Sequence, residues 1–275
     1  LLPYEACTLG SINLTKFLTY TDGKAEMDWM ALAAAVKLAV RFLDNTIDVC
    51  DYPVRDTVRL AQANRKIGLG AMGFADCLFL LGIPYDSKLG VDFASTVMNF
   101  INEKARESAN ALANQRGPFP NWNESVWRTK RNKKVRNAAI TCIAPTGTIS
   151  IIADCSSGIE PVFSPVFVRR ILGGKKLLQI NPVFKQIATK AGFYSKKLEK
   201  QIAKAGSIQQ IAKIPPSIRK VFKCAYDIKP EWHIKMQAAF QRYCDAAVSK
   251  TINFRGNATP AAVDKAYKLA YQLGC

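Results

Sequence analysis

Three glycines inside an apolar run constrain this chain more than any other feature. Residues 63–87 read ANRKIGLGAMGFADCLFLLGIPYDS. Gly68, Gly70 and Gly73 precede a helical pattern, Phe74–Leu81, that stops at Gly82 and Pro84. A residue without a side chain lets a neighbouring backbone come close, and that packing role is the reading these positions support. The spacing also matches G-x-G-x-x-G on paper. A dinucleotide fingerprint needs a strand before it and an acid about 20 residues on. ANRK ahead of it is polar and basic, so no cofactor is assigned from the glycines.

Around that segment helix-like and strand-like patterns alternate, which places the chain in the α/β class. Residues 7–18 read as a strand running into a turn, and TDGK at 21–24 is a turn. Residues 28–51 form a long helical pattern with Leu32, Val36, Ala39, Val40 and Leu43 on one face, stopped by Pro53. A second long helix covers 87–116 and is broken by GPFP. NAAITCIA, 137–144, is a short buried strand. Residues 231–250 form an amphipathic helix, TINF at 251–254 a strand, and Thr259-Pro260 opens a last helix closed by Gly274. Residues 171–229 are lysine-rich and helical with poor periodicity, and 171–223 read as a peripheral insertion in an otherwise single unit.

With 49% hydrophobic residues, 275 residues can bury a full core. No apolar run reaches the roughly 18 residues that span a bilayer, and the start lacks the marks of a signal peptide. A sequence opening on Leu-Leu-Pro reads as a piece of a longer one. The net charge of +18 gathers in RTKRNKKVR, 128–136, and in 175–223. Such charge draws polyanions. Without interleaved aromatics it reads instead as a solvated surface. None of the eight cysteines forms a CxxC pair, and no metal site is expected. Cys77 and Cys142 sit in apolar contexts that suit buried thiols in a reducing compartment. His233, the sole histidine, reads as structural.

Two stretches carry chemistry. In APTGTISIIADCSSGIEP, 144–161, a strand feeds Pro145-Thr146-Gly147-Thr148, and a short helical turn starts near Thr148 or Ile149. Unpaired backbone N–H groups at such a turn carry partial positive charge. Gly147 permits close approach, and Thr146, Thr148 and Ser150 add hydroxyls. That is the logic of an anion cradle without a P-loop lysine. An ordinary N-cap and hydroxyl turn would use the same residues. In EACTLGS, Cys7 is flanked by small residues at the head of a strand, open to a substrate or another thiol. A small buried hydrophobe is the plainer reading.

EACTLGSINL, NRKIGLGAMGFADCLFLLGIPYDS, APTGTISIIADCSSGIEP and EWHIKMQAAFQRYCDAAVSKTINF resemble, in that order, the large catalytic chain of ribonucleotide reductases. The likeness is nearest to the adenosylcobalamin-dependent class. It implies the C-terminal half of a ten-stranded α/β barrel with long surrounding helices. It implies radical reduction of a ribonucleoside di- or triphosphate to the 2′-deoxyribonucleotide, in the cytoplasm. Cys7 matches the second redox cysteine, which ends in a disulfide. Ser11 and the stretch Pro145, Thr146, Gly147, Thr148, Ile149 and Ser150 match substrate-binding positions, with the stretch taking the phosphates. Ile149 stands where relatives place a hydroxyl. The family's Asn-Pro-Cys-Gly-Glu finger loop precedes the EAC segment and is expected upstream of Leu1, so the isolated piece is expected to be inactive. The resemblance further implies adenosylcobalamin, a thioredoxin-like or C-terminal dithiol reductant, and a homodimer. The competing reading is a basic nucleic-acid-binding or interaction protein that keeps a barrel remnant.

Overall fold

A computed structural model describes residues 1–129, 132–170 and 176–275. Two positions of the basic run 128–136 and the start of the 171–223 insertion therefore lie outside the described residues. The chain opens with β1 (Thr8–Asn13), a 3-10 turn, and the hairpin β2 (Leu18–Thr21) and β3 (Lys24–Met27). The long helix α1 (Trp29–Val49) follows, capped by Asp28, whose carboxylate accepts the Ala31 N–H at 2.9 Å. Next come α2 (Arg55–Asn64), β4 (Ile67–Met72), α3 (Phe74–Leu81) and α4 (Lys88–Arg116). The Ser87 hydroxyl caps α4.

The glycine run is itself a strand, where the sequence alone marks only an apolar run whose glycines pack closely. β4 is buried at every position and pairs in parallel with β1, Thr8 opposite Ile67 through Asn13 opposite Met72. A strand covered on both faces shows no alternation, so its period is invisible in the sequence. Residues 139–143 run on its other side. The Ile67 N–H donates to Ala139, Leu69 N–H to Ile140, and Cys142 N–H back to Leu69, at 2.8–3.2 Å. Ile143 then bridges Val248, again in parallel. The result is an arc of four parallel lanes: β1, β4, 139–143 and 246–249. The described residues contain no closed sheet.

The glycines permit this arc. A Cβ on Gly70 would sit 2.1 Å from the Cys142 carbonyl oxygen, so only glycine lets the lanes meet there. On the outer side α1, α3 and α4 cover the sheet. Leu32, Val36, Val40, Ile67, Leu69, Phe74, Val97 and Ile101 are all essentially buried. Burial of this kind stabilises by roughly 25 cal/mol per Å² of apolar surface.

Past α5 (Val126–Thr129) and α6 (Ile149–Ile152), the region read as helical with poor periodicity begins with a hairpin, β5 (Val166–Arg170) and β6 (Lys176–Ile180). Helices α7 (Pro182–Lys190), α8 (Lys196–Ala205) and α9 (Pro216–Val221) follow. They enclose a second core that includes Phe184, Leu198, Ile202, Ile208 and Phe222. The fold ends with α10 (Pro230–Gln241) and α11 (Pro260–Gln272), the latter capped by Thr259. The helix expected over 231–250 stops early because Asp245 is drawn to the sheet. Its carboxylate accepts the Ile140 N–H at 3.0 Å and pairs with Arg106. TINF is not a strand, because the Thr251 N–H donates to the Glu160 carboxylate at 2.6 Å instead of to a ladder.

Candidate active site

The loop after residue 143 is built largely from its own hydroxyls. Thr146 takes a left-handed φ of 56°, and its buried Oγ1 accepts the Gly158 N–H at 2.7 Å. Ser157 Oγ donates to the Pro145 carbonyl at 2.8 Å and lies 3.3 Å from both Thr146 Oγ1 and Ser150 Oγ. The Ser150 N–H closes the turn onto Thr146 O at 3.0 Å. The hydroxyls of Thr146 and Ser150 are therefore turned inward and shape the loop. They are not free donors for a ligand, as the sequence had suggested. The outward-facing part is different: Pro145, Gly147, Thr148 and Ile149 are exposed. Among the described residues, the N–H groups of Gly147, Thr148 and Ile149 donate to no protein acceptor. Three adjacent amides at the head of α6 leave the partial positive charge that an anion needs.

The far end of the same stretch is clamped. The Glu160 carboxylate accepts Lys250 Nζ and the Thr251 N–H, both at 2.6 Å. The Lys250 side chain is wholly buried, and its Nζ also donates to His233 Nδ1 at 3.0 Å. On the neighbouring side Asp76 accepts the Ser156 N–H at 2.6 Å and Asn181 Nδ2 at 2.7 Å. Burial pushes the Asp76 carboxyl up despite those bonds. A cavity of about 620 Å³ opens between the loop and the β5–β6 hairpin. Among the described residues, Asp76, Asp154 and Glu160 line it and no Lys or Arg does. Pro145, Gly147 and Ser150 of the loop lie on its wall as well. Asp76, Ser157, Glu160 and Lys250 escaped the sequence reading. Ser157 and Glu160 lay inside the quoted stretch; Ser157 acts on Pro145, Thr146 and Ser150 within it, whereas Glu160 depends on Lys250 and Thr251 far along the chain.

Cys7 precedes β1 at the other end of the sheet. Its sulfur lies over Gly68, where an added Cβ would meet Cys7 Sγ at 3.4 Å and Cys142 Sγ at 2.5 Å. Burial first, and the Glu5 carboxylate second, push the Cys7 thiol up. The Cys142 thiol is pushed up to about 12, mainly by burial. Glu5 is itself buried and takes Lys66 Nζ at 2.7 Å, Asn64 Nδ2 at 2.7 Å and the Leu2 N–H at 2.8 Å. Burial alone would raise the Glu5 carboxyl; these three donors hold it below the usual carboxylate range. Ser11 lies opposite Gly70, and its buried hydroxyl has no partner. Cys7 does not line the loop's cavity. The loop packs over Gly73, whose N–H donates to Ser156 O at 2.7 Å. Gly68 to Gly73 spans five residues of strand, roughly 16 Å. Thiol and loop thus share one parallel arc and lie toward opposite ends of it.

Sequence comparison fits this arrangement. The profile described as "Ribonucleotide reductase, barrel domain" matches residues 2–134 and 128–275. The chain belongs to the ribonucleotide reductase barrel-domain family. It is 48% identical over its whole length to a vitamin B12-dependent ribonucleoside-diphosphate reductase of Thermoplasma acidophilum, covering 35% of that protein. It is 45% identical over 272 residues to the protein of the same name from Mycobacterium tuberculosis, covering 38% of it. The chain thus spans little more than a third of the length of these two relatives. Among solved structures, the class Id ribonucleotide reductase alpha subunit of Actinobacillus ureae superposes with a TM-score of 0.80. That match covers 98% of this chain and 48% of the other at 24% identity, which supports the reductase barrel fold. Against it, the four-lane arc is an open part of a barrel wall, with α1, α3 and α4 on its outside.

Proposed function

We propose that this chain is the C-terminal part of the catalytic barrel of a ribonucleotide reductase, one unit spanning residues 1–275 with 171–223 as a peripheral insertion. The observation that carries the reading is the row of three free amides at Gly147, Thr148 and Ile149 on a loop held rigid by Thr146, Ser150 and Ser157. These amides hold the substrate's phosphates. The loop is preorganised, so the ribose is fixed against the reacting groups at little entropic cost. The unpartnered Ser11 hydroxyl is a further substrate contact. The relatives' names favour a ribonucleoside diphosphate over a triphosphate.

Cys7 is one of two thiols that deliver electrons to the sugar. A thiyl radical on a finger loop outside this sequence abstracts the 3′ hydrogen. The C2′–OH bond breaks and water leaves. Two thiols become a disulfide, their two electrons and two hydrogens accounting for the new C2′–H bond and the water. A thioredoxin-like or C-terminal dithiol restores them. Adenosylcobalamin, named in its vitamin form for the relatives, serves the whole protein. The only histidine is buried, its Nε2 donating to Ala225 O at 3.2 Å, so this segment does not fit a role as imidazole ligand to cobalt. The part of this segment in the chemistry lies with Cys7 and the loop. A homodimer and a cytoplasmic location complete the proposal. No helix among the described residues is long and apolar enough to cross a membrane.

The basic-binding alternative gains no support. Arg65, Arg116, Arg136, Lys66, Lys223 and Lys250 are tied up in ion pairs with buried or partly buried acids. The deciding experiment restores the chain to full length. Cys7→Ser is expected to permit at most one turnover with a dithiol reductant while nucleotide still binds. Unchanged steady-state turnover refutes the role of Cys7.

A further inference from the structure

We propose that Lys66 is a positioning residue for Cys7: its ammonium neutralises the buried Glu5 carboxylate two residues from that cysteine and so keeps the thiol competent for exchange. The inference rests on Cys7 being a redox cysteine. Its geometry stands on its own. Glu5 is two residues from Cys7, and its side chain has no exposure. Lys66 lies across the lane, its carbonyl accepting the Thr8 N–H at 3.4 Å and its Nζ bonding Glu5 at 2.7 Å. A glycine at 68 leaves the space above the strand to the sulfur.

The charged and titratable groups facing Cys7 are few. Glu5 opposes the thiolate, and Lys66 favours it. Cys142 approaches from the 139–143 lane. Tyr52 approaches from the segment after α1. Of these, the Glu5–Lys66 pair is the one whose members cancel. Without Lys66, Glu5 keeps its Asn64 and Leu2 donors and loses the cation that offsets its charge. The thiolate then becomes less favourable.

This bears on the restoring half-reaction. When a dithiol reductant opens a disulfide that contains Cys7, the S–S bond breaks and Cys7 leaves with the electron pair as a thiolate. The reductant ends as the disulfide. A leaving thiol of lower pKa leaves faster. Lys66 thus acts through Glu5 on the rate at which Cys7 is released.

The test reads the pH dependence of iodoacetamide alkylation at Cys7, peptide by peptide, in the 275-residue chain. Exposed Cys50 serves as the internal rate reference and buried Cys77 reports folding. At pH 8, Lys66→Met is expected to slow Cys7 labelling about threefold and Glu5→Gln to speed it about threefold. The double variant is expected to return near the parent. Profiles at Cys7 that match the parent in both single variants overturn the proposal, and so do two single variants that shift the same way. If Lys66→Met labels at Cys77 and so has unfolded, Glu5→Gln decides alone, and absence of a faster rate overturns it. Labelling needs no turnover. A failure here therefore leaves the redox role of Cys7 to the separate Cys7→Ser experiment.

Discussion

His233 shows how one buried side chain reads out the state of the site. Its ring is fully enclosed; Nδ1 accepts from Lys250, which leaves the proton on Nε2 for the Ala225 carbonyl. A second proton would place two cations in contact. Burial first and the Lys250 charge second therefore push the imidazole down to about 4. The folded pKa lies below the unfolded value, so the folded state binds fewer protons between the two. This contribution is fully present above about pH 6.5 and is lost as pH falls toward 4, on the order of 3 kcal/mol at most. Urea unfolding of the parent and of His233→Gln at pH 7, 5.5 and 4.5 checks it. The difference in stability between the two is expected to shrink steadily with acid. A difference constant across that range would mean that His233 is protonated alike in both states.

Among the elements, those with local signals were legible and those defined by their neighbours were not. Asp28, Ser87 and Thr259 stand at helix starts, and each caps in the structure as its residue type requires. The four-residue α6 starts where Thr148-Ile149 suggested, although the Thr148 side chain makes no capping bond. β4 was not legible, because both faces are covered and its glycines carry no strand propensity. The β5–β6 hairpin was hidden by lysines, which also sit on helices. In the candidate site, the residues of the 145–150 loop could be named, but not which of their hydroxyls face inward, since Ser157 and Gly158 decide that. Lys66 gave no signal among 39 basic residues. Gly70 offers the sharpest test at this scale. The atom its Cβ would strike belongs to the backbone of the neighbouring lane and has no rotamer to yield. Gly70→Ala is expected to cost about 3 kcal/mol or prevent folding, measured by denaturant unfolding. At Gly68 the nearest obstacles are the tips of Cys142 and Leu9, so Gly68→Ala is expected to cost less. Equal losses would remove the argument that the lanes meet at Gly70.

On the scale of the whole molecule, two cores meet at one short helix. α3 sends Phe74, Cys77 and Leu78 into the first core and Phe79 into the second. Phe79 stacks on Phe222 with ring centroids 4.1 Å apart, and Phe222 in turn packs on Phe184. One turn earlier, Asp76 ties the 144–161 loop to Asn181, which itself caps α7 through the Phe184 N–H. The helix thus joins the sheet, the loop and the insertion. Removing the Phe79 ring deletes an apolar contact between the cores while leaving the polar tie intact. Phe79→Ala is expected to cost about 3–5 kcal/mol, as for other large-to-small changes in a well-packed core. The loss falls unevenly, because the first core keeps its own contacts. Hydrogen exchange in the variant is expected to rise first at α7 and α8, whereas α1 and α4 stay protected. Uniform loss of protection across both cores would show that they unfold as one unit and that α3 is no hinge of stability between them.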